Sequence, residues 1–145
     1  MPVLTLVDIT GIQRFVFGST RLRQIVGASA LLQEVTGEVI DKESVSPKGW
    51  PELLGYKKHV ISASGGNILL DFSNITEAKE FAAKLSNCTL RYAPELEMVM
   101  VHEEYEVGRI GEATYRIYNQ RMPKAKAQFI PRGSLLNLGI TEECF

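Results

Sequence analysis

The chain has few of the residues that build metal centres and disulfide frameworks. Its 145 residues include two cysteines, Cys88 and Cys144, and two histidines, His59 and His102. None of them has the paired spacing of a zinc or redox motif, so we expect free thiols in a reducing, cytoplasmic environment. No apolar run approaches the roughly 18 residues of a membrane span, and no basic segment leads into an apolar one at the start. These absences predict a protein without membrane contact.

The chain also lacks an excess of charge of either sign. Sixteen lysines and arginines oppose seventeen aspartates and glutamates, which leaves a formal net charge of −1. This balance argues against binding nucleic acid over the whole surface, although it is compatible with a local basic face. Hydrophobic residues make up 45% and charged residues 23%, as in a folded globular protein. The length corresponds to one domain.

Hydrophobic patterns predict the order strand, helix, hairpin, helix, strand. The apolar run Val3–Val7 predicts a buried strand, which the polar break Asp8–Gly11 is expected to end. A helical period follows. Strand-like runs at 59–63 and 68–72 then flank Ser64-Gly65-Gly66-Asn67, where a glycine pair beside an asparagine is typical of a tight hairpin.

The second half of the pattern begins at a predicted helix cap. Asn74 followed by Glu77 resembles a capping box. The helix behind it has an apolar face formed by Ala78, Phe81, Ala82 and Leu85. Leu96–Val101 predicts the last strand, and an amphipathic stretch from about Ile110 to Met122 predicts a further helix.

This order predicts an α+β fold of the ferredoxin-like or palm type. Its βαββαβ topology forms a four-stranded antiparallel sheet with helices on one face. We expect residues 1–107 to form a palm-like domain. Residues 108–145 form a C-terminal helix and tail, which we interpret as the start of a further region in a longer protein.

The candidate site is the edge of the sheet where the end of the first strand meets the turn of the hairpin. In a palm, Asp8 at the end of the first strand lies beside the Gly65-Gly66-Asn67 turn. Nucleotidyl-transfer palms hold two Mg²⁺ ions there with carboxylates, and glycines let the backbone approach a nucleotide. The residues leave two roles open for Asp8, because a carboxylate there also caps a helix beginning near Gly11. Hairpin geometry alone also explains the glycine pair.

Basic residues concentrate in two segments. Between Ile9 and Gln33 there is no acidic residue, and Arg14, Arg21 and Arg23 lie there. With the helix N-terminus near Gly11, these arginines form a candidate phosphate or RNA site. Residues 109–132 contain six basic residues and one acidic residue, and we interpret them as a solvated face.

Particular segments resemble a known family. Asp8-Ile9-Thr10-Gly11-Ile12-Gln13-Arg14-Phe15-Val16-Phe17, continuing into residues 22–29, resembles the large-subunit family of type III CRISPR effector complexes. Ser64-Gly65-Gly66-Asn67-Ile68 lies where the active palm of that family carries its Gly-Gly-Asp-Asp turn. Residues 138–144 resemble a segment that follows the palm. The resemblance implies a palm related to GGDEF and nucleotide-cyclase palms, and a role in antiviral defence.

The turn departs from the family's pattern at both carboxylate positions. Active members are expected to convert ATP to cyclic or linear oligoadenylates with those carboxylates and Mg²⁺. Here the positions hold Asn67, a neutral and poor metal anchor, and Ile68, which cannot coordinate a metal. Asp8 alone is not expected to organise two ions. The resemblance therefore implies a palm that is not an enzyme by itself and that pairs with another palm.

The predicted site follows from these arguments. Its nucleotide-binding residues are Asp8, Gly11, Gln13, Arg14, Gly65, Gly66 and Asn67, with Arg21 and Arg23 as phosphate or RNA contacts and Asp8 as the candidate metal ligand. The expected partners are ATP with Mg²⁺, RNA, and a second palm or a second copy of this chain. Two alternatives remain: an active nucleotidyl cyclase or oligoadenylate synthase with atypical metal ligands, and a ferredoxin-like interaction module that binds no nucleotide.

Overall fold

The centre of the fold is a strand that is buried along almost its whole length. A computed structural model of the chain describes residues 1–10, 35, 50–64, 66–93 and 96–129. The elements, in chain order, are β1 (Val3–Thr10), α1 (Trp50–Leu53), a 3₁₀ turn (Lys57–His59), β2 (Val60–Ser64), β3 (Asn67–Phe72), α2 (Ile75–Tyr92), β4 (Glu97–Glu104), α3 (Ile110–Arg116), a π-helical turn (Ile117–Arg121) and α4 (Met122–Gln128). All residues of β1 from Val3 to Ile9 are buried.

The four strands form one antiparallel sheet in the order β2-β3-β1-β4. β1 is flanked on both sides and covered on both faces, which explains its continuous apolar run. The predicted end of this strand at Asp8 is wrong, because Asp8, Ile9 and Thr10 all continue the pairing with β4. The arrangement confirms the predicted α+β fold of the palm or ferredoxin-like type.

A two-residue turn joins β2 to β3. Ser64 pairs with Asn67, and Gly66 between them has a φ of +83°. This left-handed conformation is one that glycine adopts without the steric cost of a side chain. The backbone N–H of Ile9 donates to the carbonyl of Gly66 at 2.9 Å, so the turn is tied to the end of β1.

Helix α2 begins at the predicted cap. The Asn74 side chain accepts a hydrogen bond from the N–H of Glu77 at 2.9 Å, and the Glu77 carboxylate accepts one from the N–H of Ser73 at 3.3 Å. The buried residues of α2 are Ala78, Phe81, Leu85 and Thr89. They pack on one face of the sheet in a cluster that also contains Val35, which is helical and fully buried.

The opposite face is covered by α3, the π-helical turn and α4, which run on without a break as residues 110–128 and are called the C-terminal helix below. Ala113, Ile117 and Met122 of this helix pack on Leu4 and Leu6 of β1 and on neighbouring side chains. Both faces of the central strand β1 are therefore covered. No helix within the described ranges is long and apolar enough to cross a membrane.

Candidate functional site at the end of the sheet

Asp8 lies on the sheet face that the C-terminal helix covers. Side chains alternate between faces along a strand, so Asp8 shares its face with Leu6. In the register of the sheet, Asp8 is paired with Asn67 of β3 and with Val99 of β4. Asp8 and Asn67 are thus neighbours on the same face, as the sequence predicted for this edge of the sheet.

Ile68 belongs to the other face. It is paired with Val7, is fully buried, and packs in the cluster beneath α2. A substitution at position 68 therefore alters the core, whereas position 67 sets the charge beside Asp8. Because side chains alternate along β3, Asn67 and Ile68 point to opposite faces of the sheet. These are the two positions that correspond to the carboxylates of the Gly-Gly-Asp-Asp turn.

Lys126 provides the cation that faces Asp8. Its Nζ atom forms an ion pair with Oδ2 of Asp8. The side chain of Asp8 is 11% exposed and that of Lys126 is 46% exposed, so the lysine reaches a nearly covered carboxylate from the solvent side. Sequence reasoning did not identify Lys126, since no local pattern distinguishes it from the other basic residues near the C-terminus.

The structure brings together part of the predicted nucleotide site. Asp8, Gly66 and Asn67 meet at the end of β1, where the carbonyl of the buried Gly66 accepts from Ile9. The other predicted residues are Gly11, Gln13, Arg14, Arg21, Arg23 and Gly65, and all six lie outside the described residues. Their roles stay predictions.

The described donor set at this edge does not fit a pair of Mg²⁺ ions. Mg²⁺ prefers carboxylate oxygens, but Asp8 already faces an ammonium group and Asn67 offers a neutral amide. Glu97 is a second acid on the same face, also missed from the sequence, and it is paired with Thr10 in the register. Within the described ranges, no group of three or more His, Cys, Asp or Glu side chains could hold a metal ion.

Carboxylates of the chain itself balance most of the basic side chains on the C-terminal helix. Arg116 and Arg121 donate through Nε to the two oxygens of Glu103, at 2.8 and 2.7 Å. Arg109, which directly precedes the helix, lies 3.5 Å from Glu106. Together with the ion pair of Lys126, these contacts leave this segment less available for phosphate groups than its composition indicates.

The groups with shifted pKa lie away from the sheet end. Burial and a 2.9 Å hydrogen bond to Asp71 raise the pKa of Tyr105 to about 12. Burial and the positive charge of Lys79 lower the pKa of His102, whose Nδ1 lies 2.8 Å from the hydroxyl of Thr5. Burial also raises the pKa of Cys88, which is a free thiol as predicted. None of these groups touches Asp8 or Asn67.

Solved structures of a CRISPR protein share this fold. A chain of the apo Csm1–Csm4 cassette matches 97% of this chain with a TM-score of 0.59 and 19% identity, over 20% of its own length. Csm1 of T. onnurineus matches 87% of this chain with a TM-score of 0.57 and 21% identity, over 20% of its own length. A chain of the Csm1–Csm4 subcomplex in the type III-A CRISPR-Csm interference complex matches 88% of this chain with a TM-score of 0.59 and 17% identity, over 19% of its own length.

Further similar chains come from Csm1–Csm4 cassettes in complex with one ATP or with cA4. No protein-family model and no curated protein matches the chain. The chain spans about a fifth of the length of the solved chains. At this level of identity the likeness establishes a Csm1-like fold.

Proposed function

We propose that this chain is a non-catalytic palm-like domain related to the large subunits of type III CRISPR effector complexes, and that it supports a catalytic palm in antiviral defence. The Csm1-like fold supports the relation. One observation carries the inactivity: Asp8 is paired with Lys126, and the residue beside it in the register is the neutral Asn67.

Nucleotidyl transfer in a palm depends on metal ions that bridge the phosphates and activate the attacking hydroxyl. Two such ions carry four positive charges, and the residues that flank Asp8 in the register are Asn67 and Val99, neither of which is a carboxylate. The ammonium group of Lys126 reduces the negative charge available at Asp8 still further. This electrostatic arrangement supports a chain that does not by itself convert ATP to oligoadenylates.

Nucleotide contact at this edge is the second part of the proposal. The backbone at Gly66 presents no side chain, and its turn is fixed against β1 by the hydrogen bond from Ile9. Arg14, Arg21 and Arg23, predicted on the segment that follows β1, would supply the positive charge for the phosphates. ATP is the expected ligand, bound through the turn and these arginines without a metal pair.

Calorimetric titration of the chain with ATP tests this second part. We expect binding that persists without Mg²⁺ and that weakens in Arg14→Ala and in Gly66→Val, which places a branched side chain at a left-handed φ. Arg91→Ala is the matched control, because Arg91 is an exposed arginine on α2. Absence of heat from ATP in the folded wild type would reject nucleotide binding and leave the pairing role.

Pairing is tested by sedimentation of the chain alone and mixed with an intact catalytic palm of the same effector. We expect a heterodimer that forms without ATP. If the folded chain sediments as an unchanged monomer at micromolar concentrations of both proteins, the supporting role is wrong.

A further inference from the structure

The carboxylate of Asp8 is nearly buried and therefore needs a partner of opposite charge or hydrogen-bond donors. Asp8 is on the central strand, and 11% of its side chain is exposed. Taking a carboxylate out of water is costly unless a cation or hydrogen-bond donors compensate for the lost hydration. Lys126 is the cation that the structure supplies, and it comes from the helix that closes this face of the sheet.

The C-terminal helix, which contains Lys126, is fixed on the sheet by two kinds of contact. Ile117 and Met122 are buried against the sheet, and Arg116 and Arg121 grip Glu103 of β4. The two residues of each pair are five apart in the sequence, and the π-helical turn Ile117–Arg121 spans the segment that separates them. In a regular α-helix, residues five apart point to different sides, so the wider turn brings both pairs onto the sheet.

Lys126 follows one helical turn after Met122 on the same side of the helix. The apolar anchor therefore directs the lysine toward the end of β1, where Asp8 lies. With one negative and one positive charge, the pair is neutral. A divalent cation at Asp8 would bring two further positive charges next to the ammonium group and would be repelled.

We infer that Lys126 takes the place of a divalent metal at Asp8. Its ammonium group is a built-in counter-ion that keeps this end of the sheet free of Mg²⁺ and holds the C-terminal helix on the sheet. The inference concerns the cation of this chain alone and holds whether or not the chain pairs with a catalytic palm.

The first test compares thermal unfolding of Lys126→Gln, Asp8→Asn and the double variant. Lys126→Gln leaves a covered carboxylate without its cation, so we expect Tm to fall by about 5 °C. The double variant should lose less than the sum of the two single losses, because the two residues act as a pair. The matched control is Lys124→Gln, an exposed lysine two residues away on α4, which should leave Tm unchanged.

Equal Tm values for Lys126→Gln and Lys124→Gln would overturn the inference, and so would strictly additive losses. If Lys126→Gln does not fold, the double variant decides. Recovery of a folded protein on adding Asp8→Asn supports the pair, and failure to recover contradicts it.

The second test uses Mn²⁺ as a paramagnetic probe, with bound and free ion distinguished by electron paramagnetic resonance. We expect the wild type to bind no Mn²⁺ at Asp8. Asn67→Asp with Lys126→Gln places two carboxylates side by side without the lysine. This double variant should bind Mn²⁺, and its Tm should be higher with Mn²⁺ than without it. Asn67→Asp alone, with Lys126 retained, should bind at least about tenfold more weakly.

Wild-type binding that disappears in Asp8→Asn would overturn the inference. Equal affinity of Asn67→Asp with and without Lys126 would do the same, since the lysine would then exclude nothing. A folded Asn67→Asp, Lys126→Gln variant that binds no Mn²⁺ also contradicts it. None of these readouts uses ATP or a second palm, so a failure here is distinguishable from a failure of nucleotide binding or of pairing.

Discussion

The Nε atom of Arg121 donates to Oε2 of Glu103 at 2.7 Å and ties the C-terminal helix to the edge strand β4. The side chain of Glu103 is 8% exposed, whereas that of Arg121 is 60% exposed. Arg116 occupies the other oxygen of the same carboxylate. A nearly buried glutamate with both oxygens engaged is a fixed point for the helix that also carries Lys126.

Removing this fixed point should destabilise the chain. Glu103→Gln abolishes the charge that holds Arg116 and Arg121, and we expect a loss of about 1–3 kcal/mol in the free energy of unfolding, reduced by the exposure of both arginines. Urea denaturation measures it. The control is Glu104→Gln, an exposed neighbour on β4. Losses that are equal at positions 103 and 104 would contradict the structural role of the contact.

Stability should decrease in weakly acidic solution because of His102. Its pKa is lowered in the folded chain, chiefly by burial and also by Lys79. As the pH falls below about 6.5, the unfolded state binds the proton before the folded state does. The contribution of His102 to stability is therefore complete above that pH and is lost as the pH falls through the lower pKa of the folded state. His102→Gln should remove this part of the pH dependence. The idea fails if urea midpoints of wild type and variant fall in parallel from about pH 7.5 to about pH 5.

A delayed tyrosine titration is expected at high pH. Burial and the hydrogen bond to Asp71 raise the pKa of Tyr105 to about 12, so its contribution to stability is complete below about pH 10 and is lost as the pH rises through about 12. Spectrophotometric titration should show a late step that belongs to Tyr105. Tyr105→Phe should delete that late step, and Asp71→Asn should advance it only in part, since burial by itself also raises the pKa. Its persistence in Tyr105→Phe would show that another tyrosine is responsible.

The N-terminal cap of α2 should contribute measurably to stability. Asn74→Ala removes the acceptor of the Glu77 N–H, and we expect a loss of about 1 kcal/mol in the free energy of unfolding. Asn74→Asp keeps an acceptor at the same place and serves as the control. If the alanine and aspartate variants unfold at the same urea concentration, the cap carries no stability.

Local signals predicted most of the fold. The apolar run of β1, the glycine pair of the hairpin and the Asn74–Glu77 cap each act within a few residues, and the structure has all three elements. The topology that follows from their order then placed Asp8 beside Asn67. The opposite orientation of Ile68 was also within reach, because it follows from alternation along a strand.

What the sequence did not predict depends on contacts between distant parts of the chain. A polar break at Asp8 was expected to end β1, yet the pairing with β4 continues to Thr10, and Lys126 from a distant part of the chain faces the carboxylate. Glu103 likewise acquires its arginines only once the helix has packed. One missed feature did have a local signal: Ile117 and Met122 are five residues apart, a spacing outside the α-helical period that fits the π-helical turn.

Product analysis after incubation with ATP tests the central claim most directly. The wild-type chain is incubated with ATP and either Mg²⁺ or Mn²⁺, beside Asp8→Ala, and the nucleotides are separated by chromatography. We expect unchanged ATP in both reactions, because no carboxylate flanks Asp8 in the register and Lys126 already pairs with it. Linear or cyclic oligoadenylates that form in the wild type and disappear in Asp8→Ala would contradict it.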